Sequence, residues 1–511
     1  MSGGDSGAFH PSYAEGGTQA RKDEPSLFSG EKKHMSIASN IARVTALAVG
    51  IAGVLAVGDA SAAAFQLKEN SAKGLGRAFA GSTSAWGDAS VVATNPASMR
   101  LLEGRQFQAD LSAISFSADF EKYGARNSNG TPVSGGNGGD AGMIAPVPAA
   151  YFYMPLGDDN MHFGMSLSVP FGFKTEYDND WVGRYHGVTT DLKAIDLGAS
   201  FSYDVNPYVS FGASVFVEHL TIEISNALDM GSVINGQAQQ RAVAQAQAAG
   251  ITNPAQLAAI ANQAAMAAAG QGFYPGSADG FVTIEGDNNA VGYTLGTTLS
   301  PSEDTNIAIS YRSKVKHKIT GGTVDFAVPA NVGVALGQPA SGLFTDSSGK
   351  ATLTLPASAT ISVTHRVNDR WTVMADVSRT AWKSSFDSVT VQFDSNQPDS
   401  VLEFHYDDTT YGSIGTEYKL SDTVTLRGGL AYDESPTSYA HRDVRVPDVT
   451  RKWVSIGLGW TPSEQTEFNF GYTHLFTNSP AINVTSATGN VLQGKYDVGG
   501  DILAASINYK F

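Results

Sequence analysis

Cysteine is absent from the 511 residues. That removes disulfides, thiol nucleophiles and Cys-based metal sites. It also fits a chain that crosses an oxidising periplasm without cross-links. Basic residues are scarce beside acidic ones, 33 Lys and Arg against 49 Asp and Glu, for a net charge of -16. Phosphate backbones need clustered Lys and Arg, so this balance argues against nucleic acid as a partner. A transmembrane helix needs roughly 20 apolar residues, and the longest apolar run, Val44 to Val57, is shorter than that. If the chain spans a membrane, it must do so as a closed barrel. Enzyme signatures are missing as well. His162, His186, His219, His317, His365, His405, His441 and His474 are scattered, with no H-E-x-x-H pair, no G-x-S-x-G and no P-loop. Gly74-Leu75-Gly76 holds two glycines of a dinucleotide loop but lacks the third glycine and a preceding strand. It reads as flexible backbone. The expectation is therefore a protein that is not an enzyme, with no cofactor, no metal and no catalytic residue.

What is present begins with that apolar run. Its length suits the h-region of a signal peptide, Arg43 precedes it, and Ala60-Ser61-Ala62 reads as an A-x-A cleavage site. We expect cleavage between Ala62 and Ala63. Secretory n-regions are short, so Met35 is the expected start, residues 35–62 the signal peptide, and residues 1–34 a non-native or mis-called extension.

Beyond residue 105 the sequence alternates with period two. Leu503, Ala505, Ile507, Tyr509 and Phe511 oppose Ala504, Ser506, Asn508 and Lys510; Val454, Ile456, Leu458 and Trp460 oppose Ser455, Gly457 and Gly459. A soluble sandwich would alternate too, so connection lengths carry the decision. Short turns such as Gly157-Asp158-Asp159-Asn160, Val205-Asn206-Pro207 and Leu420-Ser421-Asp422 recur after every second strand. Between them lie long polar connections around 122–145, 176–188, 226–286, 320–350, 436–449 and 479–495. Tight turns at one end and large loops at the other are the mark of an outer-membrane barrel. The predicted fold is an all-β membrane protein, an antiparallel outer-membrane barrel over 105–511. Its fourteen strands lie near 106–121, 146–156, 161–175, 189–205, 208–226, 287–301, 304–320, 351–367, 370–394, 401–420, 423–435, 450–461, 466–478 and 496–511.

Two segments do not read as wall. Residues 63–104 are too apolar to be left in water and are expected to plug the lumen as a hatch. Residues 237–269, rich in Ala and Gln, read as helix broken at Gly250 and Asn253-Pro254. Within them Leu257, Ile260 and Met266 are candidates for an external apolar groove; a packed loop capping the mouth is the other reading. A terminal aromatic, Phe511, on an alternating strand is what the barrel insertion machinery is expected to engage.

The ordered set Ala64-Phe65-Gln66-Leu67, Gly74-Leu75-Gly76-Arg77-Ala78, Asn95-Pro96-Ala97, Thr190-Asp191-Leu192, Tyr311-Arg312-Ser313-Lys314-Val315, Trp382, Asp433-Glu434-Ser435-Pro436, Val446-Pro447-Asp448 and Tyr509-Lys510-Phe511 resembles the FadL/TodX family of outer-membrane transport proteins. The resemblance covers the whole expected mature chain. It implies passive uptake of long-chain fatty acids or of aromatic or aliphatic hydrocarbons. The route it implies runs from an external apolar groove to an inner pocket, then past a shifting hatch to a lateral exit in the wall. The alternative is a general porin for hydrophilic solutes or a surface receptor barrel. Asn95, Pro96 and Ala97 match the hatch motif, which is also plain turn chemistry. Pro170, Phe171 and Gly172 are candidates for a kink at the lateral opening, because Pro removes a ladder donor; Pro170 ending its strand is the other reading. Where the fatty-acid-carrying relative places basic pocket residues, alignment reaches Asn226 and the neighbourhood of Phe404. Neither is basic, which turns the expectation towards a neutral cargo. Arg312 and Arg427 are candidate lumen contacts that would replace the lost charge, or members of a structural network. The expected partners are a hydrophobic small molecule, outer-membrane lipid and the insertion machinery, with the protein a monomer.

Overall fold

The computed structural model describes residues 66–157 and 160–511. The expected signal peptide, its cleavage at Ala62 and Ala63, and the extension before Met35 lie outside the described residues. Nineteen strand segments join edge to edge, and merging the interrupted ones gives a closed wall of fourteen antiparallel strands. In chain order these are β1 (Gln106–Arg126), β2 (Met143–Leu156), β3 (Met161–Glu176), β4 (Thr189–Asn206), β5 (Val209–Asp229) and β6 (Asp279–Ser302). Next come β7 (Thr305–Arg312 and Val315–Ala327), β8 (Ser347–Leu355 and Ser358–Asn368), β9 (Trp371–Thr380 and Ser388–Phe393) and β10 (Ser400–Glu403 and Thr409–Lys419). The last four are β11 (Val424–Asp433), β12 (Arg451–Ser463), β13 (Thr466–Phe476 and Ala481–Thr485) and β14 (Val491–Lys510). The wall closes where β1 pairs with β14, from Gln106 opposite Lys510 outwards to Arg126 opposite Val491. Closure removes the free strand edge that no membrane interior tolerates.

Alternation sorts the side chains. On β14, Leu503 and Ile507 are exposed on the outer surface, whereas Ile502, Ala504, Ser506 and Asn508 are buried towards the lumen. The same outward apolar series runs round the wall through Leu197, Val215, Leu295, Ile309, Ile361, Val377, Ile414, Leu430, Ile456 and Phe470. In water such a belt would be untenable; in hydrocarbon it is the stable surface. Aromatics edge it near the short turns, with Tyr203, Phe211, Trp371, Tyr418 and Trp460 exposed there. The predicted segregation of connections holds: tight turns link β2 to β3, β4 to β5 and β6 to β7, and the long loops share the opposite end.

The ladder runs farther outward than alternation indicates. β5 and β6 stay paired up to Asp229 opposite Asp279, and β7 continues to Ala327. Past the membrane the outer face of the wall meets water and turns polar, at Glu223, Glu285 and Asp287 for example. The apolar half of the pattern therefore fades although the hydrogen bonding continues. Two helices, α1 (Met230–Ala248) and α2 (Pro254–Gly270), fill the connection from β5 to β6. At the expected break Asn253 caps α2 by accepting from the Ala255 and Gln256 amides, with Pro254 in the first turn.

Candidate functional site

The hatch, from residue 66 to β1, lies inside the barrel, and its anchor is the Asn95-Pro96-Ala97 turn. Asn95 is fully buried, and its side chain accepts from the Ala97 amide at 3.2 Å while donating to the Thr83 and Thr297 carbonyls. Ser210 Oγ of β5 donates to the Ala97 carbonyl at 2.6 Å, and Ser98 Oγ meets Thr298 Oγ1 of β6 at 2.6 Å. The turn sits this close only because Gly212 and Gly296 face it: a Cβ at Gly212 would strike the Pro96-Ala97 backbone, and one at Gly296 would overlap Asn95 Oδ1. The turn chemistry and the hatch motif are thus one object.

On the opposite wall, glycines of β10 to β13 form a smooth strip. Gly415 and Gly429 touch the backbone of Arg77, Gly457 faces Gly76, and Gly471 faces the Ala72 carbonyl. Charge then locks the strip. Arg77, with none of its side chain exposed, pairs with Glu417 at 2.6 Å and Asp88 at 3.2 Å. Arg427 joins Glu417 at 3.0 Å, Asn469 at 2.8 Å and Glu467 at 3.4 Å; Lys73 reaches Glu467 at 2.9 Å. Arg427 thus shares Glu417 and Glu467 with Arg77 and Lys73 of the hatch. Arg312 stands elsewhere, on β7, held by Asp196 and Glu218 at 2.6 Å each and stacked 4.0 Å over Phe216. Two carboxylates take its terminal nitrogens and balance its charge, although its buried Nε has no partner among the described residues.

β3 does not end at Pro170. It continues to Glu176, with a register shift between Ser168 and Phe171 in its pairing with β4. On its other side the pairing with β2 stops at Ala150 opposite Leu167, so residues 143–149 have no partner on β3. The first hatch residues occupy the breach. The Leu67 amide donates to the Pro170 carbonyl at 2.8 Å, Gln66 bridges to Phe171, and Asn70 clamps Val169 in both directions. A cavity adjoins, touching Leu67, Lys68, Pro170, Phe171 and Arg312.

Above it, under the external loops, lies a second cavity. Its lining is almost wholly apolar, including Leu192, Ile222, Ile284, Ile319, Leu353, Phe386 and Phe404. Trp382 stands between the two spaces, 6.2 Å from Phe171 and 6.0 Å from Phe386, ring centre to ring centre. The pocket nonetheless holds a base that the alignment to Asn226 and Phe404 did not reach. Arg445, carried in by the loop between β11 and β12, lines it and donates to Asn226 Oδ1 at 3.2 Å. Its only carboxylate neighbour within 4 Å among the described residues, Asp443, lies at 3.4 Å, and its buried Nε has no partner there. Alignment strand by strand missed Arg445 because it comes from a loop, although it directly precedes the Val446-Pro447-Asp448 motif. Close by, burial pushes the His186 imidazole down to about 4, against the opposing pull of Asp443 and with the help of Arg445.

The other candidates are more dispersed. Leu257 and Ile260 are half-buried on α2, while Met266 is exposed, so the three do not share one face. Gly172 follows the bulge on β3. Phe511 is exposed, and its amide donates to the Arg105 carbonyl at 2.9 Å beside the closing seam.

The sequence profile of the outer membrane protein transport protein family (OMPP1/FadL/TodX) matches residues 53–511. Outer membrane protein P1 of Haemophilus influenzae is 29% identical over 435 residues, 83% of this chain and 88% of that one. The long-chain fatty acid transport protein of Escherichia coli K12 is 29% identical over 445 residues, 86% and 93% of the two chains. Among solved structures, a Pseudomonas aeruginosa FadL homologue superposes with a TM-score of 0.76 at 25% identity, over 88% of this chain and all of that one. The toluene transporter TodX of Pseudomonas putida shares the fold, with a TM-score of 0.54 at 18% identity over 83% and 94%. Closed barrel, lumenal hatch and profile agree, and the chain belongs to the OMPP1/FadL/TodX family of transport proteins in the outer membrane of Gram-negative bacteria.

Proposed function

We propose that this protein takes up long-chain fatty acids passively across the outer membrane, with the carboxylate held by Arg445. The observation that carries the reading is a greasy pocket with one buried arginine whose Nε has no partner. An alkyl chain gains about 0.8 kcal/mol for each methylene buried. A buried, half-satisfied guanidinium favours an anion at one end of that chain. The acid would then pass Trp382 and Phe171 to the lower cavity. Withdrawal of residues 66–70 from β3 would open the breach beside β2 and let the cargo leave sideways into the bilayer. No energy input is needed if affinity falls along that path. The test is equilibrium binding of a long-chain acid against the alkane of equal length. Clear preference for the acid is expected, and equal binding would return the reading to neutral hydrocarbons. Large steady single-channel conductance would defeat both and favour a porin.

A further inference from the structure

The break in β9 shapes both sides of the wall. Residues 381–387 turn inward and bury Trp382 and Phe386. The outer half of β9 then meets β8 only at Gly349, Lys350 and Ala351. Below that contact the strands splay and leave an open hollow on the outer surface. Lys316 and Lys318 of β7 and Lys350 of β8 line it, together with the hydroxyls of Thr352, Ser388 and Thr390. Register explains the clustering: Lys318 faces Thr352, Lys316 faces Thr354, and Lys350 faces Gln392. Among the described residues no carboxylate comes within 4 Å of Lys316 or Lys318, while Lys350 meets Asp394 at 2.6 Å. Ser385 Oγ, also in the hollow, is buried without a partner.

Height on the wall identifies the occupant. Along the outer face of β7, Ile309 and Tyr311 belong to the apolar belt, and Tyr311 pairs with Tyr293 at 6.3 Å as an aromatic edge. Lys314, Lys316 and Lys318 follow directly on the same face. They stand where hydrocarbon gives way to headgroups. The neighbouring wall at a similar height is acidic, with Asp191, Glu223, Glu285 and Asp287 around Lys193. The lysine cluster is thus a local exception in a chain of charge -16. We propose that the hollow binds one phosphorylated glycolipid of the outer leaflet. Its phosphate lies on Lys316, Lys318 and Lys350, its sugar hydroxyls on the Thr and Ser side chains, and its acyl chains along Tyr311 and Ile309.

The experiment is to extract the full chain from outer membranes in mild detergent and count retained glycolipid by native mass spectrometry. The variant Lys316→Gln/Lys318→Gln/Lys350→Gln should lose it, by roughly fivefold for each lysine removed. The Lys→Arg triple variant should keep it, which separates loss of charge from loss of fold. Lys452→Gln, exposed on β12, should change nothing. Retention by the Gln variant equal to the unmodified protein would overturn the proposal. So would equal rebinding of glycolipid stripped of its phosphates, or displacement of the lipid by millimolar inorganic phosphate, which would mark a free-anion site.

Discussion

At the scale of single residues, Arg445 in the upper pocket and His186 in the loop of residues 177–188 each give a test. Removing the guanidinium deletes one charge-assisted hydrogen bond to the cargo, worth about 1.5–3 kcal/mol. Arg445→Gln should therefore weaken binding of a long-chain acid by roughly ten- to a hundredfold, and leave the matching alcohol or alkane nearly unchanged. A loss common to all three, measured by calorimetry, would mean that Arg445 only shapes the loop. His186 gives a pH signature. Its folded pKa is lowered from 6.5 to about 4, so between those values the opened loop binds a proton that the closed loop refuses. Closure is fully stable above pH 6.5 and loses on the order of 3 kcal/mol as pH falls towards 4. Hydrogen exchange in residues 177–188, corrected for intrinsic rates, should quicken over that window and become flat in His186→Gln. An unchanged profile in the variant would assign the effect to another group.

At the scale of elements, the telling contact is between the hatch start and β3. Gln66 and Phe171 form an antiparallel bridge, a geometry with Cα atoms about 4.5–5.5 Å apart, close enough for a disulfide. The protein has no other thiol, so Gln66→Cys/Phe171→Cys should form one bond. Oxidised, it should stop uptake by whole cells; reduced, it should restore it. Uptake unaffected by oxidation would show that this contact need not open. Much at this scale could be read from sequence. Turn residues, alternation and the Asn253-Pro254 cap act locally, and each left its print. The pairing of Arg445 with Asn226 spans 219 residues, and no local pattern encodes it. The glycine strip is intermediate. Gly457 stands out in the sequence as a small residue on the polar face, but its meaning depends on what lies against it, the backbone of Gly76.

At the scale of the molecule, the belt and the lumen obey opposite rules. Ile456 is 60% exposed on the outer face of β12, so Ile456→Arg should cost about 2–4 kcal/mol in folding into vesicles if it lies near the bilayer midplane. Replacing its neighbour Ser455, buried against Thr473 at 2.6 Å inside, should leave lipid insertion almost unaltered and show up instead as a looser hatch. Equal costs at the two sites would contradict the assigned faces. The extension of β5, β6 and β7 beyond the belt was illegible for the same reason: alternation reports the surroundings on each side, and past the membrane the outer side turns polar while apolar side chains such as Ile222, Ile284 and Ile319 face inward.

The inward fold of residues 381–387 has a consequence for how this protein can change over generations. The barrel wall is one strand thick there, and a single stretch of chain sets the aromatic lining on one side and the hollow on the other. A substitution that retunes Trp382 or Phe386 for a new cargo also reshapes the surface offered to lipid. Cargo preference and membrane environment are inherited together at this position, so lineages that shift one should carry compensating changes at Lys316, Lys318 or Lys350.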